Sequence, residues 1–92
     1  MIVRIVGEAQ YRVPDSERDR LNQLDDAVVA AVSANDETKF RAGYTALLAH
    51  VRTAGTLLPP QELVSSDIAL PHPDLTLTEA KDLFTGEGLI PN

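Results

Sequence analysis

The sequence has no cysteine and no tryptophan, only two Phe and two Tyr, and a single Met among its 92 residues. Without cysteine there are no disulfides, no thiol catalysis and no Cys-based zinc sites. A disulfide-free chain suits the cytosol. With so few aromatic rings the core has to be built from Leu, Val, Ile and Ala, and a core without large anchors favours further burial in a complex. Long hydrophobic runs are missing too. The N-terminal apolar stretch is only a few residues long and is broken by Arg4, too short for a signal-peptide core or a membrane span. The expected location is therefore cytoplasmic. Basic residues are scarce: 8 Lys and Arg face 14 Asp and Glu, for a net charge of −6. That balance argues against a nucleic-acid partner, which demands phosphate neutralisation. It argues equally against direct docking on anionic lipid, so any membrane contact is expected to be indirect.

What the sequence does contain fits one domain over residues 1–92. The stretch "MIVRIVGEAQYRV" alternates β-branched and aromatic residues around Gly7-Glu8. A hairpin with an odd-length loop, Gly7-Glu8-Ala9, sets Val3 opposite Val13 and Ile5 opposite Tyr11. Arg4 and Arg12 then share the other face with Ile2 and Val6. Register follows the apolar pattern wherever one face is buried. Like charges on one strand face cost a little stability. Glu8, the acidic first helix or an acidic partner can offset that cost, and an internal salt bridge or plain solvation suffices.

After Pro14, acids at 15, 17 and 19 suit a helix start, with Asp15 or Ser16 as the cap. Leu21, Leu24, Val28, Ala31 and Val32 keep helical spacing. Asn35 is a left-handed stop and Asp36 caps a second helix. That helix carries Phe40, Tyr44, Leu47, Leu48 and Val51 and ends at Gly55. Two helices joined so closely fold into an antiparallel hairpin. Gly43, Ala46 and Ala49 offer small surfaces for close approach, while Thr38, Arg41 and Thr45 face water.

Pro59, Pro60, Pro71 and Pro73 forbid a long helix through 56–74. The apolar pieces Leu57-Leu58, Leu63-Val64 and Ile68-Ala69-Leu70 predict a packed, extended connection, with a short strand at Ile68–Leu70 pairing with the hairpin. Thr76-Leu77-Thr78-Glu79 matches a capping box, with Leu75 as a staple onto Ala80. The short helix that follows carries Leu77, Ala80, Leu83 and Phe84 and stops at Gly86 and Gly88. An apolar tail, Leu89-Ile90-Pro91, should dock on this chain or another. The fold class is thus α+β: an N-terminal β-hairpin, an antiparallel αα-hairpin, a Pro-rich extended connection with a short strand, a short C-terminal helix and an apolar tail.

Convincing catalytic chemistry does not emerge. A triad of Ser65 or Ser66, Asp67, and His50 or His72 can be drawn, but there is no G-x-S-x-G elbow. Ser and Asp side by side before an apolar run read more simply as turn formers. His50 has no ligating neighbour at helical spacing, and His72 lies between prolines in an exposed loop. Asp25-Asp26 point about 100° apart on a helix, so they do not share a proton. They read as a solvated face, or as a site for a basic partner. Gly86-Glu87-Gly88 follows a helix, whereas phosphate loops precede one. No cofactor or metal site is assigned.

In order along the chain, "MIVRIVGEAQYRV", "LNQLDDAV", "GTLLPPQELVSSDIALP", "DLTLTEAKDLF" and "GEGLIP" together resemble the phage-shock-protein-A-associated family, PspAA. The resemblance spans nearly the whole chain. It implies a non-enzymatic accessory protein of the envelope-stress system that binds a phage shock protein A-type partner, itself a helical protein that assembles on stressed membranes. The family pattern has Gly where Ala9 stands here, which implies a steric cost at Ala9 if the turn needs positive φ there. The candidate partner surface comprises Ile2, Arg4, Val6 and Arg12 on the strands, Asp25 and Asp26 on the acidic helix, and Leu89 and Ile90 in the tail. Self-association into a homodimer is the alternative, because a bare hairpin leaves an open edge.

Overall fold

The structure is a computed structural model, and it describes residues 1–62, 64–84 and 88–90. Leu63, Gly86 and Pro91, assigned above to the connection, the helix stop and the tail, lie outside the described residues. Strands β1 (Ile2–Ile5) and β2 (Ala9–Arg12) form the N-terminal hairpin. A single 3-10 turn at Asp15–Glu17 leads into α1 (Arg18–Ser33), followed by α2 (Glu37–Ala54). Then come β3 (Thr56–Leu57), β4 (Ile68–Leu70) and α3 (Leu77–Leu83). The four strands make one mixed sheet in the order β3-β2-β1-β4, with β4 parallel to β1.

The hairpin loop is odd, as its apolar pattern requires, but it lies one residue earlier than expected, which moves each cross-strand partner by two. Val3 pairs with Tyr11 and Ile5 with Ala9, leaving Val6-Gly7-Glu8 as the loop. Gly7 adopts φ +80°, the left-handed conformation that costs a Cβ-bearing residue energy, and this centres the turn on it. A shift of two keeps every side chain on its own face, so the burial pattern survives. Ala9 lies in regular strand, and among the described residues the only non-glycine with positive φ is Asn35, at +55°. No steric cost therefore falls on Ala9.

Val3, Ile5, Val13, Ile68 and Leu70 join the core beneath the helices. Asn35 ends the first helix, and the Asp36 carboxylate caps the second by accepting from the Lys39 N–H at 3.0 Å. Neither Asp15 nor Ser16 caps α1. The helix starts later, at Arg18, without a side-chain cap, and Asp15 instead accepts from the Met1 amino group at 3.2 Å. Arg41 does not face water either. It donates to the Pro73 carbonyl at 3.1 Å and to that of Leu75, tying the proline-rich segment to α2.

Gly43 meets α1 at Val28, whereas Ala46 and Ala49 are exposed and play no part in that contact. A Cβ added at Gly43 would sit 3.5 Å from Val28 Cγ2, an ordinary contact. Gly43→Ala should therefore raise the unfolding free energy by about 0.5–1 kcal/mol through lost backbone freedom in the unfolded chain. Urea denaturation measures this, and a fall in stability would show that the helix pair does not accommodate the added methyl.

The capping box forms: Thr76 Oγ1 accepts from the Glu79 N–H, and Glu79 accepts from the Thr76 N–H. Leu77, Ala80 and Phe84 turn inward, while Leu83 is exposed. The tail docks on this chain: Ile90 is in the core and Leu89 packs half-buried against it.

Candidate interaction face

With the helices on one side, Ile2 and Arg4 of β1, Gln10 and Arg12 of β2 and Ala69 of β4 form the other side of the sheet. The register sets Gln10 beside Arg4 and Arg4 beside Ala69, with Arg12 beside Ile2 in the next row. Ile2 and Leu58 are buried on this side, outside the main core. A loop following β3 flanks them and is held down by Gln10, whose amide donates to the Val64 carbonyl at 3.0 Å and to Ser66 Oγ at 2.7 Å. Arg12 and Glu62, both exposed, stand 3.8 Å apart. Such a pair contributes little stability but covers the charge of Arg12 locally.

Arg4 differs from its neighbours. It is exposed, and among the described residues no group hydrogen-bonds or ion-pairs with it. Two adjoining hollows share Arg4, Gln10 and Pro60 as lining. The larger is about 310 Å³ and also touches Glu62, Val64 and Ser65. The smaller is about 200 Å³ and reaches Glu8, Ala9, Leu58 and Pro59. Glu8 does not neutralise Arg4, because both its oxygens are engaged. Arg52 donates to them at 2.9 and 2.5 Å, and the Tyr11 hydroxyl adds a bond of 2.8 Å. Arg52 holds the Glu8 carboxyl below its usual range, and burial together with Glu8 pushes the Tyr11 phenol up.

The other candidate surface residues are dispersed. Val6 is exposed at the end of β1, next to Arg4's side of the sheet. Ile2 and Ile90 are buried. Asp26 is exposed on α1. Asp25 is not part of a solvated face: its relative accessibility is 0 %. Its Oδ1 accepts from the Leu89 N–H at 3.2 Å and its Oδ2 from the Ile90 N–H at 3.0 Å. Leu21, Asp25, Val28 and Val32 follow one helical stripe, so the spacing itself carries the signal that Asp25 faces inward.

The residues of the imagined triad are scattered over the fold. Asp67 Oδ2 accepts from the Ile2 N–H at 2.7 Å at one end of β4, and His72 lies beyond the other end, near Gly7. His50 Nε2 is 2.9 Å from a Glu17 carboxylate oxygen on the helical side. Ser66 is held by Gln10. Among the described residues no group of three or more His, Asp and Glu side chains is placed to hold a metal ion. No described helix is long and apolar enough to cross a membrane. The two edges of the hairpin are paired, β1 with β4 and β2 with β3, so the outer edges of the described sheet are the short strands β3 and β4.

The molecule is thus a small α+β domain with helices on one face of a four-stranded mixed sheet and a polar, loop-flanked face on the other. Among curated proteins and among solved structures, none matches it. The family model of the PspA-associated proteins, PspAA, matches residues 1–92, and the chain belongs to that family.

Proposed function

We propose that this protein is a non-enzymatic accessory component of the phage-shock, or envelope-stress, response that acts by direct contact with a phage shock protein A-type partner. The observation that carries this reading is the family match over the full 92 residues. The dispersal of Asp67, His50 and His72 supports a binding role, since catalysis by these groups would need them in one pocket. On this reading the protein works in the cytoplasm and reaches the membrane only through its partner.

Calorimetric titration of the folded protein with the cognate phage shock protein A-type protein tests this. Saturable binding in the micromolar range or tighter is the expected result. No heat and no co-elution, with both proteins shown to be folded, would overturn the direct-contact reading.

A further inference from the structure

We infer that the hollow beneath Pro59-Pro60 on the outer sheet face receives an acidic side chain, with an apolar neighbour, from a segment of the protein partner, and that Arg4 is the anion contact. This rests on the partner reading above and adds to it a place and a chemistry.

Four observations support it. Arg4 is the strand cation that the described residues leave uncompensated, whereas Arg12 has Glu62 and Arg52 has Glu8. The two carboxylates lining the hollows, Glu8 and Glu62, are already engaged with those other arginines, so the local charge around Arg4 stays positive. The site is pre-organised: Arg4 lies in β1 between two paired strands, and Gln10 commits its amide nitrogen to the loop. The backbone of the site is thus fixed, and a ligand has mainly the Arg4 side chain to order. Finally, the walls suit a carboxylate on an apolar stem, with Pro59, Pro60 and Ala9 beside the guanidinium.

Charge and size narrow the occupant. The hollow beneath Pro59-Pro60, about 200 Å³, is below the usual range of small-molecule pockets and suits one inserted side chain, and the adjoining hollow of about 310 Å³ has room for its neighbour. A nucleic acid or an anionic bilayer presents dense phosphate, which the chain's net charge of −6 repels. A single arginine is enough for a single carboxylate, and a guanidinium binds one in bidentate fashion.

The experiment titrates full-length wild type, Arg4→Glu, Arg4→Lys and Asp26→Lys with the cognate phage shock protein A-type protein. Circular dichroism and melting curves confirm that each variant is folded. Arg4→Glu should raise Kd by about tenfold or more, as expected for a central interface arginine. Arg4→Lys, which keeps the charge but loses the bidentate contact, should weaken binding less than Arg4→Glu does, and Asp26→Lys on the helical side should change it by less than about threefold. Tight wild-type binding that Arg4→Glu leaves unchanged overturns this inference while the partner reading stands. If the wild type does not bind at all, the partner reading itself has failed. Two further arms identify other occupants, and either result overturns the inference. One is self-association in sedimentation that Arg4→Glu abolishes. The other is binding to phosphatidylglycerol vesicles, without the partner, that Arg4→Glu abolishes.

Discussion

Asp25→Ala should lower the unfolding free energy by about 2–4 kcal/mol, read from urea or thermal denaturation. The aspartate is fully buried, and its two oxygens accept the backbone N–H groups of Leu89 and Ile90. Alanine leaves both donors without an acceptor inside the protein, and each such loss costs about 1–3 kcal/mol. Asp25→Asn keeps the volume but only one acceptor oxygen, so about 1–2 kcal/mol is expected. Gly88 belongs to the same contact. It adopts φ +83°, and a Cβ there would lie 2.4 Å from Asp25 Oδ2. Gly88→Ala should therefore destabilise too, and the double variant should lose less than the sum of the two. Strict additivity would show that the two residues do not act on one contact.

The same aspartate should leave a mark on pH dependence. Burial raises the Asp25 carboxyl above its ordinary 3.8, the Ile90 and Leu89 N–H groups work against that, and Asp26 adds to it. The folded state then takes up a proton more readily than the unfolded chain. Between the ordinary value and the raised native one, the contribution of Asp25 to stability grows as pH falls and shrinks as pH rises. Glu8 and Glu79 have lowered values and act in the opposite direction. The Asp25 effect is therefore read as the difference between wild type and Asp25→Asn, followed from neutrality down to about pH 4. A difference that does not change with pH would mean that Asp25 is not desolvated as the fold places it.

Tyr44→Ala should cost about 4 kcal/mol, and Tyr44→Phe about 1–2 kcal/mol. Tyr44 is fully buried at the centre of the few aromatic residues present. Its ring stacks on Phe40 at 5.8 Å with an interplanar angle of 9°, and meets Phe84 edge-on at 5.9 Å and 82°. Its hydroxyl donates to the Pro71 carbonyl, joining α2 to the segment after β4. Removing the ring opens a cavity between three elements, and removing only the hydroxyl strands one carbonyl. In a domain of this size each kcal/mol lowers Tm by about 4–8 °C, so thermal melts separate the two variants easily. Equal losses for both would place all the value of Tyr44 in its hydrogen bond.

Much of this architecture was legible from residue spacing. The stripe of Phe40, Tyr44, Leu47, Leu48 and Val51 is buried along its length. Asn35, Asp36 and Thr76-Glu79 end or start their helices as their side-chain chemistry dictates. What spacing could not give depended on turn geometry or on neighbours distant in sequence. The hairpin register turned on which residue could take positive φ, and Gly7 decided it. Arg41 carries no sign in its own helix that carbonyls at 73 and 75 will approach it. The interaction face was legible only in part. Alternation put Arg4 and Arg12 together, but the loop beside them has no periodicity, so nothing announced that Gln10 would anchor it and that Glu62 would occupy Arg12 and leave Arg4 uncovered.

The parallel pairing of β1 with β4 also bears on the order of folding. Ile2 and Asp67 are 65 residues apart in sequence, yet they share a hydrogen bond at the start of this pairing. The β1–β2 turn and the α1–α2 pair rest on local contacts and can form early, in the microsecond range typical of hairpins and helices. The last strand joins only after a long loop has closed, against a chain entropy that grows with the logarithm of its length. High contact order here, shared by the contact of Asp25 with Leu89 and Ile90, places these long-range steps late in folding. On a ribosome, β1 would wait with a bare edge until some seventy residues had emerged, which makes that strand the segment most in need of protection from aggregation while the chain is being made.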